Sequence, residues 1–177
     1  LVTKDNADYQ FEVKTTAGSA ANLRLLSGGY IELGIAQNDF IDAAYNGTGI
    51  FKGNLYKGYK AVASLYPEAC QIVVRADSDI ETLNDLQGKT VSIGAEESGT
   101  ENNAKQILKM SGLTSELVST VQLDYTDAAD KLASGKIDAF FCTAGVTTSV
   151  IEELARSCGI RFLDIDENCS EKLLKAY

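Results

Sequence analysis

Between Thr90 and Leu113 the sequence reads T-V-S-I-G-A-E-E-S-G-T-E-N-N-A-K-Q-I-L-K-M-S-G-L, and no other stretch constrains the fold as tightly. Val91 and Ile93 alternate as in a short buried strand. The pattern breaks at Gly94 into a loop of small residues, and a helix is expected from Ser98. Ser98 and Glu101 have the S-x-x-E spacing of a capping box, which predicts that the hydroxyl accepts from the Glu101 amide and the carboxylate reaches back to the Ser98 amide. Ala104, Ile107 and Leu108 recur at helical spacing until Gly112 ends the run. Such a junction points backbone N–H groups and the positive end of a helix dipole at the carboxyl end of a strand. Open α/β sheets bind small anions there.

Two better-known uses of such a loop are excluded. A Walker loop needs G-x-x-x-x-G-K-[ST]; Gly94 and Gly99 are correctly separated, but Thr100 stands in place of the lysine. The G-x-G-x-x-G dinucleotide fingerprint is absent, and Glu96 and Glu97 would repel a pyrophosphate. The remaining alternatives for the isolated segment are an anion-binding junction and an ordinary capped helix with no ligand.

Composition narrows the chemistry. The 177 residues include no histidine, which removes Ser-His-Asp and Cys-His nucleophiles, histidine-containing zinc sites and the usual proton shuttle. Sixteen basic against 25 acidic residues give a net charge of −9, which argues against nucleic acid and anionic membrane surfaces as partners. The four cysteines contain no C-x-x-C pair, so a metal site is not expected. Cys70 and Cys142 read as small core residues of apolar strands, whereas Cys158 and Cys169 are either free or joined in a disulfide. A 45% hydrophobic, 23% charged chain has the composition of a globular protein with a substantial core. No apolar run reaches the roughly 20 residues of a membrane helix, and no cofactor motif is present. The chain opens on Leu1 with no export signal, as expected of a processed, trimmed or partial sequence.

Elements alternate along the chain. Strands are expected at 9–14, 31–36, 59–65, 71–75, 90–93, 119–123, 137–142 and 160–163. Helices are expected at 19–26, 40–45, 82–86, 99–110, 127–133, 146–155 and 171–176. This order predicts mostly parallel sheets covered by helices. An internal echo strengthens the reading: L-S-G-G-Y-I-E-L-G-I at 26–35 resembles L-A-S-G-K-I-D-A-F-F at 132–141. Both read as a helix end, a glycine cap and a strand with an acid at the same place. Each copy ends in a polar loop, Ala36–Asp39 and Thr143–Gly145, and two lobes offering such loops form a cleft. Tyr66-Pro67-Glu68 then marks the crossing between two lobes, 1–75 and 76–177, or alternatively a plain turn between strands.

Several segments together resemble the TAXI family of solute-binding proteins, which serve tripartite ATP-independent periplasmic (TRAP) transporters. They are Gly18–Asn22 with the following L-R-L-L-S-G, L-G-I-A-Q-N-D at 33–39, Y-N-G-T-G at 45–49, A-V-A-S-L-Y-P-E at 61–68, I-V-V-R at 72–75, the long run at 86–108, and G-K-I-D-A at 135–139. The resemblance implies a two-lobed α/β, type II periplasmic-binding-protein fold that closes on a small solute. It also implies an incomplete first lobe, with one βα unit expected before Tyr9 and a return segment after Tyr177. It implies a carboxylate or amino-acid ligand such as glutamate, glutamine or a dicarboxylate, a membrane permease as partner, and a periplasmic or otherwise extracytoplasmic location. The ligand contacts it implies are Gln37, Asn38, Tyr66, Glu68, Ser98, Gly99, Thr100, Glu101, Thr143, Ala144 and Gly145.

The residue types suit those roles. Amides at Gly99 and Thr100, with the Ser98 and Thr100 hydroxyls, fit a ligand carboxylate at a helix N-terminus. Gln37 and Glu68 fit ligand donors, an ammonium included, although Glu68 also reads as a solvated turn acid. Tyr66 either covers an aliphatic stem or fills core. A non-catalytic receptor is the leading expectation. A ligand-sensing lobe pair of a regulator, and an enzyme using Cys142 or a cleft serine, are the alternatives. An apolar sheet edge left open by an incomplete lobe predicts self-association.

Overall fold

The computed structural model describes residues 10–176. Its one sheet is built entirely from residues after Glu68: β1 (Ala69–Arg75), β2 (Thr90–Ser92), β3 (Ser119–Val121), β4 (Ala139–Ala144) and β5 (Ile160–Phe162), in the order β3-β2-β4-β1-β5. β2 runs parallel to both β3 and β4, while β1 runs antiparallel to β4 and β5. The expectation of a mostly parallel sheet therefore holds on the β3-β2-β4 side and fails at β1. Pairing of Ala69 with Ala144 brings the start of β1 beside the end of β4.

Helices cover both faces. α3 (Gly99–Met110) and α6 (Glu167–Ala176) lie over a core that includes Ile72, Val74, Val91, Ala104, Ile107, Leu108 and Phe141. α4 (Tyr125–Ala133) and α5 (Ser149–Ser157) lie over Val73, Ala128, Leu132, Phe140, Cys142, Ile151 and Leu154. Successive strand residues face opposite sides, so the unbroken apolar run Phe140-Phe141-Cys142 serves both cores. Cys158 packs against the second core while Cys169 is buried in the first. The two thiols lie on opposite faces of the sheet, and all four cysteines are free. That rules out the disulfide alternative.

Residues before Ala69 form a smaller unit. α1 (Ser19–Ser27), α2 (Asn38–Asn46) and a 3₁₀ turn at Gly49–Phe51 enclose Ala20, Leu23, Phe40, Ala44 and Phe51. Phe51 stands edge-on to Phe40 and Tyr56, at centroid distances of 6.4 and 5.5 Å. The strands expected at 31–36 and 59–65, and at the described part of 9–14, do not form; residue 9 lies outside the described residues. These segments alternate in the right way, yet among the described residues no second strand lies beside them to complete a ladder. Their apolar residues, Val13, Leu33, Ile35, Val62 and Leu65, are exposed as a result. Because β1 pairs with the strands that follow it, we propose that the second lobe begins at Ala69 rather than after Arg75.

Candidate functional site

Strand β2 continues into α3 on one face, and β3 returns through α4 on the other to β4, on the far side of β2. The carboxyl ends of β2 and β4 therefore flank a point where the winding changes direction, the usual crevice of an open α/β sheet. The first unit sits over this end of the sheet and brings its helix starts against that of α3. A methyl group added at Gly18, the N-cap of α1, would lie 3.1 Å from Ser98 Cα. Ser19 Oγ accepts from the Gln37 amide at 3.1 Å, which ties the start of α1 to that of α2. The Gln37 side chain in turn lies on Gly99, the first residue of α3.

Three helix N-termini thus meet. Ser19 and Ala20 are buried, and no side chain caps α1 or α2. Buried amides at a helix start need an acceptor, and their aligned dipoles favour a negative one. Neither Ser19 nor Gly18 stood out in the sequence as a site residue. The available signal was Gly18 in an N-cap position, held here at a φ of 126°.

The expected site residues are not all brought together. Gln37, Ser98, Gly99 and Thr100 are brought together at the junction, with Gly99 and Thr100 buried. Asn38 begins α2 next to them on an exposed position. Thr143 and Ala144 end β4, Gly145 follows, and the Thr143 amide donates to Thr100 Oγ1 at 3.2 Å. Glu68 precedes β1 and accepts from Gln37 Nε2 at 2.6 Å, which places it in the group rather than alone in solvent. Tyr66 is exposed and fills no core.

Glu101 is held in place by its own neighbours. Its carboxylate accepts from Lys105 Nζ at 2.7 Å, Gln122 Nε2 at 2.6 Å and the Glu97 amide at 2.7 Å. Burial alone would raise its pKa, but the bonds from Lys105, Gln122 and the Glu97 amide outweigh that and hold it below the ordinary value. What Glu101 supplies is rigidity in the loop. Ser98 Oγ does accept from the Glu101 amide, at 3.1 Å, as the capping box requires. The return bond, however, goes to the Glu97 amide instead of that of Ser98, which donates to the Ala95 carbonyl at 3.1 Å. The loop is one residue wider than the motif assumes, and Glu97 absorbs the difference at a φ of 60°. Its side chain pairs with Arg24 of α1, raising the arginine's pKa through that hydrogen bond.

Thr100 Oγ1 is also committed. Tyr125 donates its hydroxyl hydrogen to the Thr143 carbonyl at 2.9 Å, so Thr100 is the donor in its 2.5 Å contact with Tyr125. With the Thr143 amide occupying one lone pair, Thr100 offers a solute its backbone N–H and a single acceptor site. Tyr125, absent from the sequence reading, is the hub of this cycle, and burial pushes its pKa up to about 12. Burial also pushes the Cys142 thiol up to about 12, so it is a poor nucleophile near neutral pH.

The NMT1-like family model matches residues 1–177, and the chain belongs to that family. Among solved structures, the arginine-, lysine-, histidine-binding protein ArtJ from Geobacillus stearothermophilus is similar over 94% of this chain and 64% of its own, at 16% identity and a TM-score of 0.60. The substrate-binding protein of an amino acid ABC transporter is similar over the same shares, at 17% identity and a TM-score of 0.59. The alkanesulfonate-binding protein SsuA from Xanthomonas axonopodis pv. citri, bound to MOPS, is similar over 86% of this chain and 49% of its own, at 22% identity and a TM-score of 0.55. At these identities the likeness establishes the fold: α/β, of the type II periplasmic-binding-protein kind. The chain spans less than two thirds of the length of each of these structures.

Proposed function

We propose that this NMT1-like chain is the solute-gripping part of a non-catalytic, extracytoplasmic receptor, and that its ligand carries a compact anionic group. The observation behind the proposal is the buried, uncapped start of α1, set against the starts of α2 and α3. A carboxylate at that point would accept from several backbone amides at once and complete three helix dipoles. Gly99, Thr100, Ser19 and Asn38 are the amide donors in this proposal, and Glu68 takes a ligand ammonium. Amino acids such as glutamate or glutamine, or a dicarboxylate, fit that pairing. A TAXI-type receptor that hands its solute to a TRAP permease is the finer form of the proposal. It draws on the sequence segments that resemble that family, Leu33–Asp39 and the run at 86–108.

Three of the structures with this fold are described as receptors for amino acids or an alkanesulfonate. The test therefore compares headgroups. Titration calorimetry of L-glutamate, L-glutamine, succinate and methanesulfonate should give micromolar binding for at least one carboxylate, about −8 kcal/mol. Binding of methanesulfonate alone would reassign the headgroup, and silence from all four would sink the receptor reading.

A further inference from the structure

We propose that Tyr125 assigns the two threonine hydroxyls beside the start of α3 to different tasks: it takes the Thr100 hydroxyl hydrogen into the frame of the site, and it leaves Thr143 Oγ1 as the hydroxyl that donates to an oxyanion headgroup. The inference rests on the receptor reading above and adds which side chain grips and which ones only position.

The direction of the bonds is the first observation. Tyr125 begins α4, and its single hydroxyl hydrogen goes to the Thr143 carbonyl at 2.9 Å. Thr100 must then donate to Tyr125, while its oxygen accepts from the Thr143 amide at 3.2 Å. The hydrogen that a carboxylate or sulfonate would need from Thr100 is therefore spent inside the protein. Burial pushes the Tyr125 pKa up to about 12, so the phenol keeps its hydrogen at any pH near neutral.

Thr143 itself is the second observation. The residue is only 7% exposed, yet its Oγ1 has no hydrogen bond of normal geometry among the described residues. Two places beyond Phe141, its side chain lies on the face of the sheet that α3 covers. The bond from its amide to Thr100 Oγ1 fixes it beside the first turn of that helix. Across the ladder it faces Cys70; burial raises that thiol's pKa and the hydroxyl offsets part of the rise, but a thiol is a weak partner. A valine of the same shape would avoid the cost of burying an unpaired hydroxyl. An oxyanion at the start of α3 gives the hydroxyl a purpose, since it and the helix amides would converge on one negative group.

Four variants test the proposal: Thr143→Val, Thr143→Ser, Thr100→Val and Tyr125→Phe. Each is titrated by calorimetry with sodium L-glutamate and sodium methanesulfonate, and unfolded in urea without either. Thr143→Val should weaken binding of a probe by about tenfold or more, as for a bond to a charged group, and Thr143→Ser should restore it. The urea midpoint of Thr143→Val should be unchanged or raised, because no bond within the protein is lost. Thr100→Val and Tyr125→Phe should each lower the midpoint, and together by less than the sum, since they share a bond. Tyr125→Phe should also weaken probe binding, yet add little to Thr143→Val, because it acts on the solute through Thr143. Unchanged affinity in Thr143→Val, a lowered midpoint in that variant, or additive affinity losses would each overturn the proposal. If neither probe binds any of the proteins, the receptor reading fails separately and the midpoints decide. A lowered midpoint for Thr143→Val, or an unmoved one for Thr100→Val, then overturns the assignment of tasks, and the opposite pair supports it.

Discussion

Residues 26–35 and 132–141 begin alike and end differently. Both follow a helix, and both close it with the same pair of bonds: Gly29 to Leu26 and Tyr30 to Leu25 in one, Gly135 to Leu132 and Lys136 to Lys131 in the other. The glycines have nearly the same φ, 71° and 69°. Beyond the cap the copies part. Asp138 exchanges bonds with Thr90, its amide donating to the Thr90 carbonyl and its carboxylate accepting from the Thr90 amide at 2.7 Å. β4 then carries Phe140 and Phe141 into the sheet at 0% exposure. In the first copy Glu32 is exposed, no strand forms, and Leu33 and Ile35 are each 65% exposed. A helix cap is local and needs only its own sequence. A strand needs a neighbour, and among the described residues only the second copy has one.

The sharpest way to break this comparison is to truncate the matching apolar positions. Phe140→Ala should cost about 3–5 kcal/mol, since a fully buried aromatic leaves a cavity between packed strands and helices. Leu33→Ala should change stability by less than about 0.5 kcal/mol, as for other exposed positions. Urea unfolding of both variants checks this. A large loss from Leu33→Ala would mean that the first copy has a partner, for example a second molecule. That result would favour the self-association expected from the open apolar segments, which light scattering over a concentration series would then detect.

The acids give the next test, with a smaller effect. Asp138→Ala removes the acceptor of the Thr90 amide, so a loss of about 1–3 kcal/mol is expected. Glu32→Ala should be near neutral, because Glu32 is solvent-exposed. Equal effects would show that the acid supports the cap instead of the ladder.

This contrast also explains what the sequence made legible. The helices at 19–27, 99–110 and 125–133 and all five strands of the sheet were readable, because period and caps are local and their partners lie within the chain. Strands at 31–36 and 59–65 were misread for the opposite reason. β1 was found as a strand, but its antiparallel direction was not, since Ala69–Arg75 carries no signal for which neighbour it will meet. At the site, it was the family resemblance that named Ser98–Thr100 and the Thr143 loop together, and the Thr143 amide does meet Thr100. The commitment of Glu101 to Gln122, and of Thr100 to Tyr125, was not legible. Those bonds join residues 21 and 25 apart whose meeting is set only by the folded sheet.

The smallest expected effect concerns the shared caps. An alanine forced into a left-handed cap costs about 1–2 kcal/mol wherever it occurs. At Gly29 a methyl group meets nothing within 4 Å, and at Gly135 it meets only the far end of the Arg75 side chain, at 2.8 Å, which can swing away. The local strain should therefore be similar in Gly29→Ala and Gly135→Ala. What differs is where it is felt. Lys136 leads directly into β4, so Gly135→Ala should lower the global urea midpoint. Gly29 closes α1, which packs in the small cluster around Phe51, and polar contacts such as Arg24–Glu97 and Asn102–Asp39 join that cluster to α3 and the loop before it. Its substitution should leave the midpoint within error and instead speed hydrogen exchange at the Tyr30 amide. Equal shifts in the global midpoint would show that the two units unfold as one. The polar contacts across the junction would then be strong enough to couple them even without a solute.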